Sequence, residues 1–434
     1  MKVSGWGNYP NISCRLYQPD SIDEILDFIS DGSVSPLISR GMGRSYGDSA
    51  LSENILSHTR IKSISDIDPN NGELLCSAGI TLKEILDLYG CDGWFLPVTP
   101  GTKHVTVGGA VASDVHGKNH HVAGSFSEYV ESIKVLTVKE GLVECSREIN
   151  SELFRATCGG MGLTGIIVEV KLRLNKVESS FIEQKTCKSA NLFETFQLLE
   201  SHKEYTYSVA WVDCLAKGAS RGRSVVTFGE HLSDEVFVPI PETKINVPFN
   251  VPDFVMNKYS VKAFNKIYYS KITSSLETRN VHFDSFFYPL DKVDNWYRLY
   301  GRNGFLQYQF VVPSEQAFSV FEEILMLCTK LGVLPYLAVM KELGACNNNY
   351  LSFPKSGMTL SLDFKISRSL FPLLDRFDSL VVSNGGRVYL AKDSRMSEVI
   401  FKQGYPGWEL FAAVRERYGA DEMLHSLQSR RIGL

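Results

Sequence analysis

The sequence predicts an α+β protein of two domains, the second built on an antiparallel sheet under helical cover. Three observations predict it. The chain has 434 residues, too many for one ordinary core and enough for two. Glycine-rich segments crowd the early part, after which aromatic residues take over. In that later part, alternating strand-like runs are separated by amphipathic helical runs. We place the first domain at residues 1–175, completed by 386–434, and the second at 176–385.

The elements follow in order. "DSIDEILDFISDG" reads as a helix capped by Ser21 or Asp20, with Ile22, Ile25, Leu26 and Ile29 as its stripe and Gly32 as its end. "VSPLISRG" reads as a short strand running into a glycine loop. "TLKEILDLYG" is a second helix, with Thr81 as cap and Gly90 as stop. "SIKVLTVKEGLVECS" predicts a hairpin turning at Glu140-Gly141. "GIIVEVKLRL" alternates Ile166, Val168, Val170, Leu172 and Leu174, as a strand does. Further on, "YTYSVAWVDC", "LQYQFVVP" and "MTLSLDFKIS" read as strands. "PSEQAFSVFEEILMLCTKLG" reads as a helix capped by Ser314, and "SLFPLLDRFDSLVVSNGG" as one ending at Gly385-Gly386.

Composition narrows the function classes. Charged residues make up 22 % and hydrophobic residues 44 %, with a formal net charge of −4. Both signs are interspersed, so no global field recruits nucleic acid. No apolar run is long enough to cross a bilayer, and "MKVSGWGNYPNIS" lacks the apolar core of a secretory signal. The 9 cysteines stand singly, without CxxC or Cys/His metal spacing, which predicts reduced thiols, a cytoplasmic location and no metal site.

Three glycine-rich stretches carry the chemistry: "RGMGRSYGD", "PVTPGTKHVTVGGAVASDVHGKNHH" and "GGMGLTGI". Glycine lets backbone N–H groups approach an anion closely. The first lacks the closing GK[ST] of a Walker A loop and the GxGxxG spacing of a Rossmann turn. Any one of them alone could be a tight turn. Together, and in the order glycine loop, Pro-Gly-Thr, Val-Gly-Gly and Asp-Val-His-Gly, they form a more specific signal.

This order resembles the flavoproteins with an FAD-binding PCMH-type fold, the vanillyl-alcohol-oxidase type. Within them the chain is similar to the decaprenylphosphoryl-β-D-ribose 2′-oxidases of cell-wall arabinan synthesis. "GRSYGD", "VTPGT", "VTVGGA", "DVHGKNHH", "AGSF", "GGMGLTGII" and "YLAKDSR" carry the resemblance, from Trp6 to the last helix, most weakly between about 185 and 300. It implies FAD as cofactor. By position, FAD would meet Ser39, Arg40, Gly41, Met42, Gly43, Arg44, Ser45, Tyr46, Gly47, Asp48 and Ser49 in the first loop. It would also meet Gly101, then Thr106, Val107, Gly108 and Gly109, then Ser113, Asp114, Val115 and His116, and finally Ile167 and Tyr389. Many relatives carry histidine, bonded to the flavin, where Tyr46 stands; tyrosine implies that FAD is held non-covalently.

Oxidising an alcohol onto a flavin leaves negative charge on the ring and releases a hydroxyl proton. The site therefore needs a fixed cation and a proton acceptor. The resemblance implies that Lys392 is the cation, with His116 and Tyr46 as the other catalytic candidates. Gln307 and Gln309 share a strand face. With Lys341 and Ser361 they would line the substrate site, Gln309 and Lys341 reaching sugar hydroxyls or phosphate and Lys392 also meeting substrate. Ser361 replaces the cysteine of actinobacterial members, which removes a thiol that traps electrophiles. Leu343 stands where the family often has an aromatic.

The stretch 246–271 interleaves Phe249, Val251, Phe254, Val255, Met256, Phe264, Ile267, Tyr268 and Tyr269 with Lys258, Lys262, Lys266 and Lys271. It reads either as a surface for anionic lipid or as domain packing. Three functions stay open at this point. The first is oxidation of the 2′-hydroxyl of a polyprenylphosphoryl ribose, with a separate short-chain dehydrogenase/reductase completing the epimerisation and peripheral contact at the inner face of the cell membrane. The second is soluble alditol or aldonolactone oxidation. The third is a non-catalytic flavin-binding partner in a glycan-assembly complex.

Overall fold

The computed structural model describes every residue except Glu242, Thr243, Lys244 and Asp253. The first helix runs Ile22–Ser30, with the Ser21 side chain accepting from the Glu24 N–H and with Ile25 and Ile29 buried. Just after it, Leu37–Ser39 joins Asn54–Leu56 and Arg15–Tyr17 in a three-stranded parallel sheet. The helix Leu82–Tyr89 starts in a Thr81–Glu84 capping box. A four-stranded sheet has the order Glu73–Ser77, Ile166–Arg173, Val130–Thr137, Gly141–Ser146. Its last two strands form the expected hairpin, with Gly141 at φ +67.

The larger sheet has eight strands. Its order is Glu277–His282, Phe181–Ser189, Ser224–His231, Tyr207–Val212, Leu337–Leu343, Gly357–Lys365, Phe305–Val312 and Arg387–Val388. Every pairing is antiparallel. The helices Ser314–Leu331 and Leu370–Ser383 pack on it through Phe321, Ile324, Phe377 and Val381. Residues of both large sheets belong to one continuous hydrophobic core. One cap differs from expectation. Ser314 is already the first helical residue, Pro313 takes the cap position, and no side chain bonds there. Proline fixes the entry angle instead, as a pre-set φ allows.

Register places three short rows of side chains on one sheet face. Leu337, Asp363 and Gln307 lie across from one another; so do Val339, Ser361 and Gln309, and so do Lys341, Thr359 and Val311. Cross-strand partners share a face, so this patch presents a mixed polar wall to the early glycine segments.

The tail closes the arrangement. After the edge strand Arg387–Val388 the chain turns through Leu390–Lys392. The Ala391 carbonyl accepts from the Tyr46 N–H at 3.0 Å. Arg431 reaches Asp48 at 2.7 Å and Asp393 at 2.9 Å, tying the glycine loop to the Lys392 segment.

Candidate active site

The glycine segments and the sheet wall enclose a cleft with about 1840 Å³ of empty space, part of it open to solvent. Ser39 to Tyr46 and Ser49 line it, as do Gly101, Thr106, Gly108, Gly109, Ser113, Val115, His116, Ile167 and Tyr389. Gln307, Gln309, Lys341, Ser361 and Lys392 line it from the sheet and tail.

Four expected cofactor contacts lie outside this lining. A Cβ on Gly47 would overlap the carbonyl oxygen of Asp393, so its glycine serves the loop–tail contact. Asp48 is buried and turned to Arg431. Val107 is core. Asp114, at φ +38, points away from the cleft. Its carboxylate accepts from the Ser127 N–H at 3.0 Å, Asn347 at 2.7 Å, Asn349 at 3.0 Å and Ser352 at 2.6 Å. Leu343 is buried and also outside the lining. Conversely, Trp6, Asp291, Trp296, Leu337 and Val339 line the cleft but sit in segments with no motif to mark them. Met161 and Gly162, within the third glycine-rich stretch, also line it.

Local contacts fix the working side chains. Lys392 Nζ lies 3.8 Å from the centre of the Tyr46 ring, and that ring meets Phe305 edge-on at 5.4 Å. Tyr389 donates to the Ser113 carbonyl at 3.2 Å and stacks on Phe353 at 4.4 Å. The Gln309 amide donates to His116 Nε2 at 3.0 Å and to Thr359 Oγ1 at 3.2 Å. His116 Nε2 is thus the acceptor, and the ring proton sits on Nδ1. The Lys103 N–H donates to Asp291 at 3.0 Å, holding the Pro-Gly-Thr loop in place.

Electrostatics follows from enclosure. Burial pulls the Lys392 ammonium down to about 7, with Asp363 opposing the shift and Lys341 reinforcing it. Burial likewise lowers Lys341 to about 8, and it lowers Lys118, behind the wall, to about 7. His116 falls well below its ordinary value, first by burial and then beside Lys341, His120 and Lys392; it is neutral near pH 7. Burial raises the Tyr46 phenol well above its ordinary range. Lysines with little to pair with, next to a neutral imidazole, make a cleft that attracts anionic ligands.

The cleft fits FAD on its own terms. Ser39 Oγ, Arg44 Nε and His116 Nδ1 are buried without a protein partner, and all three can donate. Buried donors without partners are costly, and a ligand rich in acceptor oxygens and ring nitrogens satisfies them. Among the described residues no cluster of His, Cys, Asp or Glu could hold a metal ion, and no helix is long and apolar enough to cross a membrane.

Comparison with known proteins agrees with this site. Residues 15–146 match the FAD binding domain family. The chain is 32 % identical to decaprenylphosphoryl-β-D-ribose oxidase of Mycolicibacterium smegmatis over all of its own length and 97 % of that protein. An uncharacterised Streptomyces coelicolor protein is 30 % identical over 82 % of this chain and all of its own. L-galactono-1,4-lactone dehydrogenase 2 of Oryza sativa subsp. japonica is 28 % identical over 42 % of this chain and 32 % of its own. A glycine-cradled cleft with half-buried lysines, joined to full-length similarity, places this chain among the FAD-dependent oxidoreductases of the vanillyl-alcohol-oxidase type, in the family of decaprenylphosphoryl-β-D-ribose oxidase.

Proposed function

We propose that this enzyme oxidises the 2′-hydroxyl of a polyprenylphosphoryl-β-D-ribose, or a closely similar lipid-linked pentose, to the 2′-keto sugar. The observation that carries the reading is the cleft wall: two half-buried lysines, Lys341 and Lys392, flank Gln309 and a neutral His116. FAD in the cleft supplies the hydride acceptor. Among the described residues Lys341 bonds only to the Gly117 carbonyl, at 3.5 Å, which leaves it able to hold a substrate phosphate or hydroxyl. Gln309 orients the imidazole through Nε2, and Lys392 supplies fixed positive charge. With its proton on Nδ1 and its Nε2 accepting from Gln309, the neutral His116 acts as a hydrogen-bond donor into the cleft, and burial leaves the Tyr46 phenol protonated. A keto sugar is half of an epimerisation, so a separate short-chain dehydrogenase/reductase would return the hydride from the opposite face.

Anaerobic mixing with synthetic prenylphosphoryl ribose tests this reading. The flavin absorbance bleaches and the product mass falls by two hydrogens; a flavin left oxidised by this compound but bleached by free aldonolactones or alditols overturns it. Because Tyr46 stands at the position of covalent attachment in relatives, acid precipitation releases FAD into the supernatant. Yellow colour retained in the protein pellet would show a covalent bond.

The lipid part of the reading rests on the segment 246–271. Its helix, Lys258–Ser270, is held from behind by Val261 and by Asn265, whose amide donates to Asp213 at 2.7 Å. Phe264 and Ile267 stand exposed beside Lys258, Lys262, Lys266 and Lys271, and Phe249 and Phe254 (77 % exposed) precede them. This supports peripheral contact with anionic lipid over domain packing. Replacing the four lysines with glutamine lowers partition onto anionic vesicles on the order of 1000-fold, at about 1 kcal/mol per lysine. Unchanged co-sedimentation counts against membrane contact.

A further inference from the structure

We propose that Asp363 is a positioning residue for Lys392: its enclosed carboxylate, held by Gln307 and Tyr300, keeps the Lys392 ammonium charged and seated on the Tyr46 ring. The inference rests on the reading that Lys392 supplies the positive charge of the site.

The geometry is as follows. Asp363 is 1 % exposed and lies in the wall row between Leu337 and Gln307. Gln307 Nε2 donates to its Oδ1 at 2.6 Å and Tyr300 to its Oδ2 at 3.5 Å. Gln307 lines the cleft together with Tyr46, on whose ring Lys392 sits. Asp363, Gln307, Tyr46 and Lys392, from four separate segments, thus stand in sequence along one side of the cleft. Among the described residues no lysine or arginine nitrogen lies within ion-pair distance of Asp363, and Lys392 makes no ion pair either. Each charge therefore acts on the other across Gln307 and Tyr46.

Such a carboxylate is expensive to bury if it has no further use. Neutral donors alone do not offset it, and burial pushes Asp363 up to about 7. Lys392 experiences the reverse. Burial and Lys341 lower its affinity for a proton, and Asp363 is the group that restores it. The other titratable groups facing this pair are Tyr46, Tyr300, Tyr336, Lys341 and His116, with Arg44 and Asp291 acting on Tyr46. The tyrosines stay neutral through burial, His116 stays neutral, and Lys341 is of the wrong sign. Asp363 alone among them supplies negative charge to Lys392. Because the two titrate in the same range, they ionise as a pair with shared steps.

The test is Asp363→Asn in the FAD-loaded enzyme, read by two measurements. Competitive acetylation of Lys392 across pH, mapped by mass spectrometry, reports the charge of the amine directly. The asparagine variant's midpoint falls by about one unit or more, and its substrate-driven flavin reduction at pH 8 falls about tenfold below that of the parent at the same pH, since one unit is a factor of ten in the charged fraction. Asp363→Glu, which keeps the charge, keeps the midpoint close to that of the parent. Gln307→Leu reaches the same end by a second route: without its donor the carboxyl is harder to ionise, and the Lys392 midpoint falls again. An unchanged midpoint in both Asp363→Asn and Gln307→Leu overturns the inference and leaves the role of Lys392 standing. Turnover retained in Lys392→Ala overturns that role instead.

Discussion

Replacing Lys392 with alanine leaves FAD bound and lowers substrate-driven flavin reduction by about 10²–10³-fold. The size follows from what the lysine does. A preorganised charge in a water-excluded site acts on charge that develops during the reaction, and losing one such group costs rates of this order. It acts little on the ground state, so kcat falls while KM changes only modestly. Cofactor retention is expected because the cleft is lined chiefly by the glycine segments, and the Lys392 amine sits over the Tyr46 ring rather than carrying the loop backbone. Stopped-flow reduction with FAD occupancy measured on the same sample checks both halves. An alanine variant that reduces its flavin at the parental rate would show that the charge comes from elsewhere.

Asp114→Asn gives the second large effect, and it falls on stability. Four donors converge on this carboxylate: the Ser127 N–H and the side chains of Asn347, Asn349 and Ser352. The site is sealed, with Asp114 at 0 % exposure. An asparagine brings an NH₂ group where at least one of these donors needs an acceptor. Hydrogen bonds to a charged group are worth about 1.5–3 kcal/mol each, and a buried donor left unmade costs its desolvation as well. A loss on the order of 3 kcal/mol is expected, read as a lower denaturant midpoint at unchanged slope. The same variant should hold FAD poorly only when it is unfolding, since the side chain does not line the cleft. A stable variant with weakened FAD binding would return Asp114 to the cofactor contacts.

Asp114 also shows where sequence reading stopped. The glycine segments were legible because their chemistry is local: spacing and residue type alone carry the need for bare backbone near an anion. Which neighbour in "SDVHG" faces the cleft is not local. A left-handed turn at Asp114 sends the aspartate toward residues 347–352 and the histidine into the cleft. The Gln307/Gln309 pair was visible through its two-residue spacing, yet Asp363 was not. Its relevance depends on the register of three strands far apart in sequence, and register is a tertiary property. Trp6 and Trp296 escaped for the same reason: lone aromatics look alike until the fold brings them to one place. The helix caps were readable at Ser21 and Thr81, where a hydroxyl meets an N–H, and misread at Ser314, where proline does the work by geometry alone.

The clamp made by Arg431 on Asp48 and Asp393 has a consequence for biosynthesis. The glycine loop that lines the cleft is held by a residue translated almost 400 positions after it. The nascent chain therefore cannot finish its cofactor pocket on the ribosome until synthesis has passed that arginine. FAD uptake is then a late event, and any pool of this protein cut short before residue 431 should accumulate colourless.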